Sequence, residues 1–161
     1  MTFDHLEAPL HEDPLFRVER PGRPPEDRST WPELARQRAF LSHLRKHAPR
    51  VSAFAVPNAA HRGQRAMNQA RAEGLRSGAF DLIVGWHRAE ATNDRCPAAI
   101  AFVEFKGFDA SGRPGKLSRA QVEFGNGWWR RGHAVACFFT AEAAIEWLRE
   151  LGAPVPAKVA A

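Results

Sequence analysis

Apolar residues along the chain fall into short runs separated by polar and turn-forming stretches, a pattern that predicts alternating strands and helices. Some runs are rich in β-branched and aromatic residues and are bounded by glycine, proline or polar residues, as strands are. Others are longer and carry apolar residues at helical spacing. The predicted strands are 51–57, 80–86, 98–108 and 133–140, and the predicted helices are 30–47, 64–75, 118–132 and 141–152. This order indicates an α/β fold with a small mixed central β-sheet flanked by helices.

Helix-capping residues mark two of the predicted helix starts. Thr30 followed by Glu33 has the spacing of a capping box, and Ser118 precedes the helix over 118–132. The first helix is also predicted to place a mixed set of leucines and arginines on or beside one face. The set consists of Leu34, Arg38, Leu41, Leu44 and Arg45, with Phe40 and Ala48 flanking it.

Composition divides the chain into an arm, one domain and a tail. Residues 1–30 form a proline-rich N-terminal arm, 31–153 the domain, and 154–161 a short tail. Proline removes backbone donors and fixes φ, so the arm is predicted to be irregular. Whether it packs on the domain or on a partner subunit is left open by the sequence. The polar stretch 87–97 is typical of a long hairpin connection.

The charge balance favours a polyanionic partner. Lys and Arg number 23 against 18 Asp and Glu, which gives a formal charge of +5 over 161 residues. Such a surface suits nucleic acid, although a protein can also be basic without binding it. Cys96 and Cys137 are far apart and form no CxxC motif, so they are expected to be reduced thiols. No secretory signal or membrane-spanning run is predicted, and we expect a cytoplasmic protein.

The segment FVEFKGFD, residues 102–109, carries the first candidate chemistry. Side chains alternate across a strand, so Glu104 and Lys106 should share one side and Phe105 should face the other. One interpretation is an exposed ion pair at a sheet edge, worth up to about 1 kcal/mol. The other is an acid and a base held together for catalysis.

The catalytic interpretation also includes Asp81, at the start of the preceding strand. If the two strands pair as a hairpin, Asp81 and Glu104 converge at one end of the sheet. Two carboxylates about 4 Å apart repel by about 4 kcal/mol at an effective dielectric of 20, so such a site attracts a cation. Carboxylates with water and phosphate oxygens are the usual ligands of Mg²⁺. With a lysine beside the metal, the set is suited to phosphodiester cleavage.

Four short motifs follow one another along the chain: VPN at 56–58, GLRSGAFD at 74–81, FVEFKGFD at 102–109 and GKLSRAQ at 115–121. In this order they resemble the virus-type replication-repair nuclease (VRR-NUC) domain of the PD-(D/E)xK nuclease superfamily. The resemblance covers about residues 32 to 152 and includes a first helix with Glu33 and Gln37, and a last strand and helix. One departure is Phe80, which stands where the family has proline before the aspartate.

The resemblance implies a restriction-endonuclease-like core and assigns roles to the site. Asp81, Glu104 and the backbone carbonyl of Phe105 would hold Mg²⁺ or Mn²⁺. Lys106 would position or activate the attacking water, and Gln121 would help to orient that water or a phosphate.

Two further residues keep alternative interpretations. Glu33 is either an additional metal ligand or the partner of Thr30 in the capping box. Asn58 either contacts the substrate or serves only as a turn residue after proline.

Basic residues surround the acidic site in sequence and predict a DNA-binding surface. The Trp128–Trp129 pair is expected to place one ring in the core and leave the other partly covered, rather than to stack on bases. Arg76, Arg130 and Arg131 flank the same region. The predicted DNA-binding residues are Asn58, Arg62, Arg65, Arg113, Lys116 and Arg119.

The residues and the resemblance together predict a metal-dependent DNA endonuclease. The resemblance implies a bacterial or phage-encoded protein that selects branched DNA such as Holliday junctions, and a symmetric junction implies a homodimer. Two alternatives remain: a non-catalytic DNA-binding module of the same fold, and a sequence-specific restriction-type endonuclease.

Overall fold

The computed structural model describes residues 12–56, 72, 76, 78–87 and 98–157, and in these ranges it is an α/β structure built on a mixed sheet. All four predicted strands are confirmed, and a fifth, very short strand precedes them. The strands are β1 (Arg17–Val18), β2 (Val51–Ala55), β3 (Leu82–His87), β4 (Ala98–Phe105) and β5 (Ala134–Phe138). The helices of the described ranges are α1 (Glu33–His47), α2 (Arg119–Arg130) and α3 (Ala141–Glu150). The helix predicted over 64–75 and the connection between β3 and β4 lie almost wholly outside these ranges.

Strand β4 lies at the centre of the sheet. The strand order is β1-β5-β4-β3-β2, in which β2, β3 and β4 are antiparallel neighbours and β5 runs parallel to β4. The β3–β4 pairing confirms the predicted hairpin. A parallel neighbour requires a crossover, which α2 supplies between β4 and β5. The segment that carries Glu104 and Lys106 is therefore covered on both edges.

Helices pack on both faces of the sheet and divide the core in two. On one face, α1 and α3 cover the odd-numbered side chains of β4, with Phe40 in contact with Phe105 at 5.4 Å between ring centroids. On the other face, α2 covers Phe102, and the cluster includes Phe80 and Cys137. Glu104 and Lys106 share the side of Phe102, so α2 packs over the same face as the candidate site.

The start of α1 differs from the prediction. Thr30 belongs to a short 3₁₀ turn, where its hydroxyl donates to the carbonyl of Asp27, and Pro32 is the N-cap residue of α1 with no side-chain cap bond. The predicted Thr30–Glu33 capping box is therefore wrong. Proline at the cap position removes one of the donors that a capping side chain would otherwise satisfy.

The buried face of α1 also differs, because a charged residue takes an inward position. Arg36, Phe40 and Leu44 are buried, whereas Leu34 is 51% exposed. The Arg36 guanidinium donates to the carbonyl of Phe139 and lies 5.1 Å from the Phe108 ring centroid. These contacts compensate the buried charge and turn the apolar face away from Leu34.

The N-terminal segment joins the sheet of its own chain. Strand β1 pairs in parallel with β5, and Phe16 is buried against the α2 face. The Glu19 carboxylate accepts hydrogen bonds from the backbone N–H groups of Phe139 and Thr140 and from the Thr140 hydroxyl. Since these contacts fix the junction between β5 and α3, the segment contributes to the domain. No helix among the described residues is long and apolar enough to cross a membrane.

Gly107 fixes the approach of α1 to the end of β4. A Cβ atom at this position would overlap the Trp31 carbonyl oxygen and would lie 2.7 Å from the backbone nitrogen of Glu33. Because backbone atoms form both contacts, we expect Gly107→Ala to lower the free energy of unfolding by about 1–3 kcal/mol, measured by urea titration. Gly22→Ala is the matched control, since a Cβ at Gly22 meets nothing within 4 Å. Equal stability of both variants would contradict this role for Gly107.

Candidate active site

Glu104 and Lys106 form a buried ion pair at the end of β4. The Lys106 Nζ atom lies 2.8 Å from Glu104 Oε1, which confirms that the two side chains share one side of the strand. Glu104 is 1% exposed and Lys106 is 7% exposed. The alternative of an exposed pair at a sheet edge is therefore wrong. A buried pair bears a desolvation cost that a surface pair does not, which makes this position unusual for purely structural charges.

Asp81 lies directly across the sheet from Glu104. The β3–β4 register pairs Leu82 with Val103, and the next positions outward are Asp81 and Glu104. The Asp81 backbone N–H donates to Glu104 Oε2 at 3.1 Å, and the Asp81 side chain is only partly buried. The predicted convergence of these residues at one end of the hairpin is confirmed. Phe105 lies beyond the last β3–β4 pair, so its backbone lies at the same end of the sheet.

Gln121 is the fourth residue at the site, and local helix structure places it there. Ser118 caps α2, and Gln121 is its partner in a capping box: the side-chain oxygen of Gln121 accepts from the Ser118 N–H at 2.9 Å. Its Nε2 donates to Glu104 Oε1. Gly78, at φ +79°, packs so closely on the Ala120 carbonyl that a Cβ would overlap it. Glycine at 78 therefore lets the segment leading to Asp81 lie against α2.

Glu33 is a second carboxylate that contacts Lys106. Its Oε1 is 3.4 Å from the Lys106 Nζ atom, and its side chain is about half exposed. Among the described residues no cluster of three or more Asp, Glu, His or Cys side chains is placed to hold a metal ion. The geometry thus places Glu33 on the lysine and not in a three-carboxylate cluster with Asp81 and Glu104.

Burial and like charge act together on Glu104. Desolvation, and then the neighbouring Asp81 carboxylate, raise the pKa of Glu104 from 4.5 to about 7, although Lys106 opposes the change. Burial alone would lower the pKa of Lys106, but Glu104 and Glu33 outweigh burial and hold that pKa above its usual value. The lysine therefore remains a cation at neutral pH. Burial and the Asp81 charge both favour the protonated, neutral form of the Glu104 carboxyl group beside it.

This conflict predicts a pH-dependent stability of the metal-free protein. Because the folded-state pKa of Glu104 lies above the unfolded one, the stability it contributes is present below about pH 4.5 and is lost as the pH rises through 7. The pKa difference corresponds to about 3 kcal/mol. We expect Glu104→Gln to become more stable relative to the natural protein by about this amount between pH 5 and pH 8. Denaturant titrations in a chelating buffer measure it, and a pH-independent difference would contradict it.

The hydrogen bonds leave one carboxylate oxygen of Glu104 open to a further partner. Oε1 accepts from both Lys106 and Gln121, whereas Oε2 accepts only the Asp81 N–H among the hydrogen bonds described. A carboxylate oxygen has about two lone pairs, so Oε2 can take one more partner on the side of Asp81. Two nearby carboxylates, one of them buried with a raised pKa, are the donor set that a divalent cation fits.

The predicted DNA-binding residues divide into three groups. Asn58, Arg62 and Arg65 lie outside the described residues. Arg113 and Arg119 are exposed but pair with carboxylates of their own segments, Asp109 at 2.7 Å and Glu123 at 2.8 Å.

Lys116 is exposed at a cavity of about 400 Å³ that Lys106 also lines. Lys116 thus shares a cavity with one residue of the candidate site.

The two adjacent tryptophans separate as predicted. Trp128 stacks on Phe102 at 4.7 Å between centroids and contacts His133, whereas Trp129 is 47% exposed. Cys137, the β5 neighbour of Glu104, is a buried free thiol whose pKa is raised by burial and by the Glu104 carboxylate. It is therefore expected to be unreactive. Cys96 lies outside the described residues.

Comparison of the chain with protein-family models, curated proteins and solved structures finds no match.

Proposed function

We propose that the protein is a metal-dependent DNA nuclease of the VRR-NUC type, with a restriction-endonuclease-like core. The supporting observation is the convergence of Asp81, Glu104 and Lys106 at one end of a central hairpin. Asp81 and the Glu104–Lys106 pair lie in separate segments of the chain, and the fold brings them together around the buried Glu104 carboxylate. Structural roles alone do not favour burying Glu104 beside a second acid.

The residues at this end of the β3–β4 hairpin fit a divalent cation. The carboxylate of Asp81, Oε2 of Glu104 and the backbone carbonyl of Phe105 would hold Mg²⁺ or Mn²⁺. Such an ion, when bound, neutralises developing charge on a phosphate and lowers the pKa of a coordinated water. Burial is the main cause of the raised pKa of Glu104, and the charge of the ion would offset the second cause, the repulsion from Asp81.

Lys106 acts as a protonated donor in this mechanism. Its raised pKa makes it a poor general base at neutral pH, so it positions a water or a phosphate oxygen and does not remove a proton. Glu104 accepts one of its three N–H groups, and Glu33 pairs with the ammonium group at 3.4 Å between Oε1 and Nζ. A remaining N–H group can reach the attacking water or stabilise charge on the transferring phosphate.

Gln121 and Glu33 act as positioning residues. The capping box fixes the Gln121 amide, and its Nε2 then holds Glu104 Oε1, which leaves Oε2 directed to the side of Asp81. Glu33 forms a second ion pair with the ammonium group of Lys106. The fixed geometry reduces the reorganisation that the site would need during the reaction.

The proposed substrate is DNA, with branched forms such as Holliday junctions preferred. The basic charge of the chain favours a polyanion. Cutting a symmetric junction on two strands requires two symmetric sites, so the proposed active form is a homodimer.

A substrate panel tests this function. Labelled linear duplex, flap and four-way DNA are incubated with Mg²⁺, with Mn²⁺ and with EDTA, and we expect metal-dependent cleavage that is fastest on the four-way substrate. Binding without cleavage under all conditions would instead support a non-catalytic DNA-binding module. Cleavage confined to one sequence in linear duplex would support a restriction-type enzyme.

A further inference from the structure

A basic cleft runs along α2 beside the segments that form the candidate site. It has a volume of about 420 Å³ and is lined by Arg76, Ala120, Glu123, Phe124, Gly127, Trp128 and Arg131. Ala120 adjoins Gln121 in α2, and Gly78 packs on the Ala120 backbone three residues before Asp81. The cleft therefore opens beside the two segments that carry Gln121 and Asp81.

The charges that face the cleft are predominantly positive. Arg76 and Arg131 are both exposed. The one acid that lines the cleft, Glu123, is engaged by Arg119 at 2.8 Å. Arg131 is held in place, because its Nη1 donates to the Gly127 carbonyl at 2.7 Å. An anion that enters the cleft therefore meets two guanidinium groups, one of them already fixed.

The aromatic floor of the cleft is already occupied by protein contacts. Trp128 stacks on Phe102 at 4.7 Å, and the Arg131 guanidinium lies 5.7 Å from the Trp128 centroid. A nucleobase would have to displace these contacts in order to stack on the ring. Guanidinium groups, in contrast, keep free N–H donors in a planar fork that matches phosphate oxygens.

We infer that this cleft holds the phosphate backbone of the cleaved DNA strand. The bound stretch of backbone extends from the scissile phosphate on the side where Asp81 lies, and Arg76 and Arg131 contact its phosphates. The inference rests on the proposed nuclease function and names where its substrate lies. From Ala120 to Arg131 the helix rises by about 16 Å, so the cleft follows a strand beyond the reacting phosphate. Contacts of this type fix register and are insensitive to sequence.

The test compares Arg76→Gln, Arg131→Gln and the double variant with Arg45→Gln. Arg45 is an exposed arginine of α1, which packs on the opposite face of the sheet, and its replacement removes the same charge. Binding of a fluorescent linear duplex and a four-way junction is measured in EDTA from 50 to 300 mM salt. The slope of log K against log salt is negative for a DNA-binding protein. We expect its magnitude to fall by about one in each single cleft variant and by about two in the double variant, on both DNAs.

Arg45→Gln should have no more than a small effect on the slope. Unchanged slopes in all cleft variants, or equal losses in Arg45→Gln, would overturn the inference. Thermal midpoints and tryptophan fluorescence of each variant show whether the Trp128 contacts survive the change. Cleavage by the natural protein is measured separately with Mn²⁺: a protein that binds through the cleft but never cuts refutes the nuclease function and not the cleft.

Discussion

Lys106→Met is expected to reduce DNA cleavage by about a hundred- to a thousandfold while divalent-metal binding is retained. The ammonium lies 2.8 Å from Glu104 Oε1 and has an N–H group to offer a water or phosphate oxygen. Loss of one such donor typically costs this factor in rate. Methionine keeps most of the buried side-chain volume, so the variant should fold. Single-turnover cleavage and the thermal shift on adding Mn²⁺ measure the two effects.

Lys46→Met is the matched control, because Lys46 is an exposed lysine in the last turn of α1, away from the site. It should cleave at the natural rate. Cleavage by Lys106→Met at that rate would refute the role of the lysine. Joint loss of cleavage and of the Mn²⁺ shift would show that Lys106 acts through the metal ligands.

Asp81→Asn is expected to remove both divalent-metal stabilisation and cleavage. In the natural protein, Mn²⁺ at a hundred times its dissociation constant should add about 2.7 kcal/mol of stability. The variant keeps the shape and the backbone N–H that Glu104 Oε2 accepts, but it loses one carboxylate. We expect its metal affinity to fall by at least about a hundredfold. Thermal unfolding with and without Mn²⁺ measures this change.

Asp109→Asn provides the comparison for charge alone. Asp109 is exposed and pairs with Arg113 in its own loop, so its removal should leave the Mn²⁺ shift unaltered. A full Mn²⁺ shift in Asp81→Asn would place the metal elsewhere or exclude it. Glu104→Ala is a poorer test of metal binding than Asp81→Asn, because it leaves the Lys106 ammonium group buried with only Glu33 as its carboxylate partner.

Strand periodicity predicted the centre of the site correctly. Alternation alone places Glu104 and Lys106 on one side, and hairpin pairing brings Asp81 opposite Glu104. The Ser118 cap likewise fixed where α2 begins and so where Gln121 points. These are local rules, and each depends on a few neighbouring residues.

The features that sequence did not predict depend on contacts between distant segments. Strand β1 has two residues and no periodicity, and it exists because β5 offers a free edge. The burial of the Glu104–Lys106 pair follows from the packing of α2 on that face of the sheet, which local pattern does not reveal.

The start of α1 was misassigned for a similar reason. The Thr30 side chain has a competing acceptor in the carbonyl of Asp27, and Arg36 finds buried acceptors only after the chain has folded. Local pattern favoured Thr30 as the cap and placed Leu34 on one face with Leu44. In the folded chain Pro32 is the N-cap residue and Leu34 is exposed.

The central claim is that Asp81 and Glu104 share one divalent ion at the open end of the β3–β4 hairpin. Crystals of the natural protein soaked in Mn²⁺ and measured at the manganese absorption edge test it most directly. We predict one anomalous peak between the Asp81 carboxylate and Glu104 Oε2, within coordination distance of both and absent from Asp81→Asn crystals. A peak elsewhere, or no peak in crystals of a protein that cleaves DNA with Mn²⁺, would contradict the account.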